Sequence, residues 1–536
     1  MKMPLLSPAG PRGPGHAGHG ASAPPSRYRS SKTGTVAGIL ALILLSAFFG
    51  AAVPVLGIIV PLAALLLAFL MWVLVDFRIG AGLAIVLMPM TPLAFFPREM
   101  FGIRGLNPVN VVLFLTLLSY LVHAGLRRWR DPLVPRRLVL WYILPFAIAS
   151  LVGLQYVSLI PSRMVLDRVI LFTDGAGYLR DLFFKPLFYI LLALLVALQV
   201  RHSKKPERVI FLMLISGWVL CLVMGWLMLS SGVSMRDLAS PQTRSFMSKI
   251  GMHANEMSLM LNSLYALTLF SIREQAPGVL KHLLFVSAMV FAVAVLLTFS
   301  RGGMLGLVLI NAIYFWKRIS VKTVAIGLLV VACIGPFVAE PLIDRLLTGF
   351  EKGDRGAVTA GRLDDIWLPL MPTVLEQPLF PNGLSSMLWS SPIRLNRMLP
   401  VGHAHSAWLG GVMDMGLIGL AFVIAFLLFV RREFLRLSQS HSASMLQGFF
   451  AGGAALIPVW FLQGVTDDRF TPTPSQVYIW IAVGVLIGCG GLYHERKKRG
   501  PRVFPMPPAR ESAPATPAAS CTFAPPSAPL KGHLST

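Results

Sequence analysis

Residues 361–367 read Gly361-Arg362-Leu363-Asp364-Asp365-Ile366-Trp367, and residues 403–406 read His403-Ala404-His405-Ser406. The first stretch lies inside a polar interruption running from 339 to 404, and the second closes it. On either side stand apolar runs, 322–339 and 405–430, each long enough for a helix to cross a bilayer, which takes at least about 17 residues. The interruption therefore reads as a folded insert held against a membrane, and it carries Arg, Asp and His where other connections are short.

Outward from this insert the chain has 536 residues, 55% hydrophobic and 13% charged. A soluble domain cannot bury so much apolar surface, so the fold class is an all-α polytopic integral membrane protein. Candidate spans are 34–52, 53–75, 80–97, 108–125, 138–158, 183–200, 208–230, 252–272, 281–299, 302–317, 322–339, 405–430, 444–464 and 476–493. The pairs 34–75 and 281–317 are crowded, which gives about 12–14 transmembrane helices. The membrane domain is 33–493. Residues 1–32, rich in Gly, Pro, Ser and Arg, form one tail, and the basic, Pro- and Ala-rich 494–536 the other; both compositions read as disordered. The first apolar run lacks a small-residue cleavage site and reads as a retained span.

The net charge of +24 does not indicate nucleic acid. The basic residues sit in short clusters between apolar runs, where they orient helices and touch anionic membrane lipid. Of four cysteines, Cys221, Cys333 and Cys489 lie in apolar runs and Cys521 in the tail. With no Cys-x-x-Cys pair, neither a disulfide framework nor a cysteine metal site is indicated.

With fourteen spans, the clusters 127–137, 201–208, 273–281, 317–322, 431–436 and 496–499 all fall on the side of the basic N-terminus. The positive-inside rule makes that side cytoplasmic, with both termini there. The loops 159–182, 231–251, 299–302, 340–404 and 465–475 then face outward. The insert 340–404 carries seven acidic and six basic residues, nearly balanced, as suits a translocated segment. Nucleotides are absent on that side, and the chain has neither a P-loop nor a dinucleotide-binding glycine motif. No cofactor is expected, and energy for a synthesis must arrive in the substrate.

Arg301, in Phe299-Ser300-Arg301-Gly302-Gly303, stands in a tight outer turn at the start of a helix, where free N–H groups and the dipole attract anions. Gly302 and Gly303 would let a phosphate approach the backbone. A snorkelling interfacial side chain is the plainer reading of Arg301. Arg362 suits bidentate phosphate recognition, or else pairs locally with Asp364 or Asp365. Two arginines on one outer pocket could hold a pyrophosphate. His405 opens the span 405–430, where the positive helix end favours a neutral ring able to take a proton; an interfacial anchor is the bland alternative. His403 could compete for the role. A His-x-His zinc site lacks a clear third ligand, so no metal is expected. Asn255, Arg180 with Asp181 and Lys185, and Asp467-Asp468-Arg469 share the outer side.

The order of Ser300-Arg301-Gly302-Gly303, Gly361-Arg362 with Trp367, Pro378 to Gly383, His405-Ser406-Ala407-Trp408-Leu409 and Asp414 to Gly419 resembles the O-antigen ligase and O-antigen polymerase superfamily over roughly 250–430. The resemblance implies a metal-independent, GT-C-like glycosyltransferase of the bacterial inner membrane. Such enzymes move a glycan from an undecaprenyl-diphosphate carrier to an acceptor hydroxyl on the periplasmic face, in O-antigen or exopolysaccharide biosynthesis. By the resemblance, His405 is the base, Arg301 and Arg362 engage the donor diphosphate, and Asn255 is a supporting polar position. Ser406 stands where Asn is usual, and Asp414 where Glu is usual. The acceptor is another glycan, a lipid A core or a protein. A flippase or transporter for lipid-linked glycans is the alternative. It would be expected to show internal repeats and midplane charges, and neither stands out in the sequence. A non-catalytic component of an assembly complex is a third reading.

Overall fold

The computed structural model describes residues 67–129, 134–232, 250–316, 356–395, 402–439 and 445–492, apart from isolated positions within them. The expected spans 34–52 and 322–339, most of 53–75 and both tails lie outside the described residues. Nearly all of what is described is helix. Among the described residues the only strands are the antiparallel pair β1 (Glu99–Met100) and β2 (Ile103–Arg104). The helices are α1 (Phe77–Leu87), α2 (Pro108–Arg127), α3 (Arg136–Leu154), α4 (Gly175–Arg201), α5 (Arg208–Ser230), α6 (Ala254–Ile272), α7 (Val279–Leu297), α8 (Arg301–Phe315), α9 (Leu368–Glu376), α10 (Ala407–Ser438), α11 (Met445–Gln463) and α12 (Val477–Gly488).

Seven of these, α2 to α5, α7, α10 and α11, are long and apolar enough to cross a membrane. These helices and the shorter α8 turn large apolar side chains outward: Phe114, Leu151, Leu222 and, on α8, Val308 are each at least 60% exposed. A soluble protein would not display such surface, whereas lipid accepts it. The protein is thus an all-α polytopic membrane protein, as its hydropathy implies.

The centre is α6, whose residues from Met257 to Ile272 are all buried. It is less apolar than its neighbours because it is wrapped by helices instead of lipid. Ser263 and Ser271 return their hydroxyls to the carbonyls of Leu259 and Leu267. Small residues bring the neighbours close. On α11, a Cβ at Gly448 or Gly452 would strike the α6 carbonyls of Phe270 or Ala266 at 2.3 and 2.7 Å. The same four-residue spacing recurs on α12, where Gly484 and Gly488 lie on the α4 carbonyls of Ala193 and Ala197.

Widened π turns lie within α3 at Val139–Ile143, within α4 at Arg180–Phe184 and directly before α9 at Leu363–Trp367. Each is followed two residues later by proline: Pro145, Pro186 and Pro369. Proline has no N–H and crowds the carbonyl one turn back, and the wider turn relieves both. This has a consequence for the expected boundaries. Helix α4 begins at Gly175, well before 183, so Arg180 and Asp181 lie within it beside Lys185 and not in the preceding loop.

Helix α10 is broken at Gly416, whose backbone is left-handed at φ 68°. Its freed amides are taken by the stretch Pro378-Leu379-Phe380-Pro381-Asn382-Gly383. Leu417 N donates to Pro378 O, and Gly383 N donates to Asp414 O. No Cβ fits at Gly416 beside Leu379 O, or at Gly383 beside Gly153. The insert is thereby pinned to the membrane helices.

Candidate active site

Five segments expected on one side of the membrane meet in space: the starts of α6 and α8, the insert near 362–367, the segment 402–406, and the loop after α11. Their meeting point is Asp467. Helix α11 ends at Gln463, and Gly464 O accepts from Ala407 N at 2.7 Å, so this loop and the start of α10 are fastened together. The Asp467 side chain is 6% exposed. Its Oδ1 accepts from Asp468 N at 2.9 Å and lies 3.2 Å from His405 Nδ1. Its Oδ2 accepts from Asn255 Nδ2 at 2.7 Å and lies 3.2 Å from His253 Nδ1. His403 Nε2 is 3.7 Å from Oδ1. Burial alone would raise this carboxyl, but the three imidazoles around it outweigh burial and hold it well below the usual carboxylate range.

An ionised Asp467 draws the proton of His405 onto Nδ1, which fixes the tautomer and leaves Nε2 as an acceptor. His405 sits ahead of the helix it was expected to open. Ser406 is the N-cap of α10, its Oγ accepting from Leu409 N at 3.3 Å, while His405 is left-handed at φ 47°. The ring is thus oriented by Asp467 and by an unusual backbone conformation.

Asn255 extends the network. Its Oδ1 accepts from Ser300 Oγ at 2.6 Å, and Ser300 Oγ caps α8 by accepting from Gly303 N at 3.0 Å. Ser258 on α6 takes a 3.1 Å bond from Gln463 Nε2, joining α11 to the same set. The glycines after Arg301 have a different purpose from the one expected. A Cβ at Gly303 would lie 2.4 Å from Ser258 Cβ, and one at Gly302 would lie 3.0 Å from Thr466 Oγ1. They let α8 pack on α6 and on the 466 loop, and the space beside them is filled by protein.

Arg362 stands at the entry to the π turn before α9. Its alternative pairing is not formed: it makes no side-chain hydrogen bond or ion pair among the described residues, and Asp364 and Asp365 are exposed. Burial lowers its pKa and the charge of Asp467 raises it, while its own charge acts on Arg301. The two arginines and Asp467 therefore share one electrostatic neighbourhood. Trp367 Nε1 donates to Ala404 O at 2.9 Å, tying the Arg362 turn to the histidine segment.

The His403 ring lies 3.8 Å from that of His405, centroid to centroid. Desolvation in the pocket pushes the His403 imidazole down to about 4; Arg469 and His405 add to this and Asp467 opposes it. His403, His405 and Asp467 each offer a ligand atom, all within 4.8 Å of one another. Zinc bonds of about 2.0–2.2 Å would fit such a triangle with modest closure. The 3.2 Å contact of His405 is equally that of a carboxylate–imidazole hydrogen bond.

Other expected residues lie apart from this hub. Asp414 accepts from Ser386 N and Oγ, both at 3.0 Å, which anchors the insert at the α10 break. It also lines a water-sized pocket of about 30 Å³ with His403 and His405. Arg180 is paired with Asp181 at 2.9 Å and faces a separate cavity. Sequence reasoning grouped Asp467 with the outer loops but gave it no role, and it overlooked His253. An acid pair directly after a span, in a loop rich in Thr and Pro, was the available signal.

Residues 286–424 match the family model described as O-antigen ligase. The matched stretch starts in α7 and ends in α10, and so contains Arg301, Arg362, His403 and His405 but neither Asn255 nor Asp467. No curated protein matches the chain.

Proposed function

We propose, on the premise that residues 286–424 assign this membrane protein to the O-antigen ligase and polymerase family, that it transfers a glycan from an undecaprenyl-diphosphate carrier to an acceptor hydroxyl on the periplasmic face of the inner membrane. Glycan transfer of the ligase or polymerase type is what the family does in general. The carrier, the face and the residue roles are the present reading.

The observation that carries it is the Asp467–His405 pair beside Arg362 and Arg301. In the reaction the acceptor oxygen bonds to the anomeric carbon of the donor sugar. The bond from that carbon to the diphosphate oxygen breaks, and the lipid diphosphate leaves with its electron pair. The acceptor proton passes to His405 Nε2, and the Asp467 carboxylate stabilises the imidazolium that results. Charge growing on the diphosphate is met by the Arg301 and Arg362 guanidinium groups, in a site with little water. Asn255 and His253 hold Asp467 in place. No nucleotide is needed, because the diphosphate ester supplies the driving force.

Purified protein given a lipid-diphosphate glycan and an acceptor tests this. Transfer is expected, to persist after exhaustive chelation, and to be lost in Arg362→Ala and His405→Ala. Transfer that survives both substitutions sinks the mechanism. Loss on chelation with recovery on added zinc would make the His403, His405 and Asp467 triangle a metal site instead. Movement of the intact lipid-linked glycan across vesicles without transfer would favour a flippase.

A further inference from the structure

Next to the histidine pocket is a much larger cavity, about 710 Å³, within the roughly 300–1,000 Å³ of small-molecule sites. Apart from Gly251, its wall comes from three separated stretches on the same face as the candidate active site: 88–110, 171–189 and 469–474. Arg180, Lys185 and Arg469 line it, against Asp181 and Glu99, with the Asn107 and Asn110 amides nearby. Arg180 and Lys185 both bind Asp181, at 2.9 and 2.8 Å, and their side chains are 40% and 52% exposed. Arg469 makes no side-chain hydrogen bond or ion pair among the described residues. Arg469 and Thr471 also line the small pocket of His403 and His405, so one short loop separates the large cavity from the base.

The lining combines apolar side chains, among them Met88, Leu171, Phe188 and Tyr189, with charged and amide groups. Guanidinium, ammonium, carboxylate and amide groups at one surface are what sugar hydroxyls and acidic sugar substituents bind. A direct, inverting displacement at the anomeric carbon would also bring the nucleophile in on the face opposite the departing diphosphate. Arg301 and Arg362, assigned to the leaving diphosphate, line neither cavity.

We propose that the cavity between 88–110, 171–189 and 469–474 is the acceptor site, and that it selects a glycan bearing a negatively charged group, held by Arg180, Lys185 and Arg469. This rests on the glycan-transfer reading above. It adds the side of approach and the charge of the acceptor.

Binding, measured without turnover, tests it. The purified full-length protein in lipid nanodiscs is titrated with a uronate-containing tetrasaccharide and with its carboxyl-reduced, neutral counterpart. The wild type is expected to bind the acidic probe at least tenfold more tightly. Combined Arg180→Gln and Lys185→Gln substitution should abolish that preference, as should Arg469→Gln. Thr471→Glu, which removes no ion pair, should weaken the acidic probe more than the neutral one. Arg362→Ala should keep the preference. Equal binding of the two probes by the wild type, binding of neither, or a preference that survives all three cavity variants overturns the proposal. If the preference follows the cavity variants but no glycan is ever transferred, the acceptor chemistry stands and the transferase reading fails.

Discussion

Two clusters of histidine, arginine, aspartate and aromatic side chains sit on opposite sides of the helix bundle, and they are built differently. On the side assigned to the cytoplasm, Arg78 grips Asp76 two residues away through Nε and Nη2, at 2.8 and 2.6 Å. There the His202 ring stacks on Trp129 at 3.9 Å, with Phe77 edge-on to the same indole. Charges are neutralised locally and the imidazole is packed against carbon. On the other side, Asp467 is buried and its partners His405 and Asn255 are 62 and 212 residues away in sequence. Arg362 has no carboxylate at bonding distance among the described residues. In the first cluster the carboxylate is neutralised by an arginine two residues away, although the packed rings come from separate segments. The Asp467 cluster draws its charge partners from distant segments at a substantial cost in ordering and leaves the Arg362 guanidinium for something else to satisfy.

If that contrast separates chemistry from scaffolding, the two sides respond oppositely to substitution. If His405 is the base, as proposed, His405→Ala should lower transfer by about 10²–10⁴-fold, the usual worth of general base catalysis. Asp467→Asn should lose a similar amount, since an amide can hold the ring with the wrong nitrogen protonated. Arg78→Ala breaks an exposed pair worth about 0–1 kcal/mol and should leave transfer unchanged. Rates measured in nanodiscs check both. Equal losses on the two sides would erase the distinction.

The next largest effect falls on Arg362. Arg362→Ala should reduce kcat by roughly 10²–10³-fold, the usual cost of removing one donor to a developing anion. Arg362→Lys should restore only part, because an ammonium cannot match two diphosphate oxygens at once. Single-turnover kinetics at saturating donor separate this from binding. An Arg362→Ala enzyme altered only in KM would make Arg362 a ground-state anchor.

The same contrast explains what the sequence could reveal. Spans are local: a run of apolar residues announces itself, and the outward-facing apolar surfaces on α2, α3, α5 and α8 follow directly. The central helix α6 is quieter, because its Ser, Asn and Thr are tolerated only where other helices enclose them. Arg362 and His405 were legible through their place in a polar insert and through family resemblance. Asp467 was not, since nothing local distinguishes it from the buried Asp468 beside it. Its contacts with His405 and Asn255 form only when α6, α10 and the loop after α11 close together. Gly302 and Gly303 misled for the same reason, because a glycine beside an arginine suggests an anion until Ser258 and Thr466 are seen to fill the space.

Asp468 supplies a smaller, pH-dependent test. Its carboxyl accepts from Gln476 Nε2, Ser475 Oγ and Thr473 Oγ1, which fixes the loop bearing Asp467. Burial pushes it up to about 7 from 3.8. The folded protein therefore keeps a proton that the unfolded chain releases near 3.8. Stability should fall as pH rises from about 4 to about 7, then level off. Asp468→Asn should flatten that dependence while keeping the loop. Melting temperatures across pH 5 to 8 check it, and an unchanged slope in the variant would mean that another group is responsible.

The smallest effect should come from Ser406, a neighbour of the base that the contrast assigns to scaffolding. Its hydroxyl accepts from Leu409 N and caps α10. Asn caps helices about as well as Ser, so Ser406→Asn should be nearly neutral, and Ser406→Ala should cost about 1 kcal/mol of stability. In both, the acceptor KM and the pH profile of transfer should match the wild type. A Ser406→Ala protein that folds normally but has lost most of its activity would show that position 406 touches substrate. The boundary between scaffold and chemistry would then run through the segment His403-Ala404-His405-Ser406 itself, with the cap drawn into the reaction beside the base.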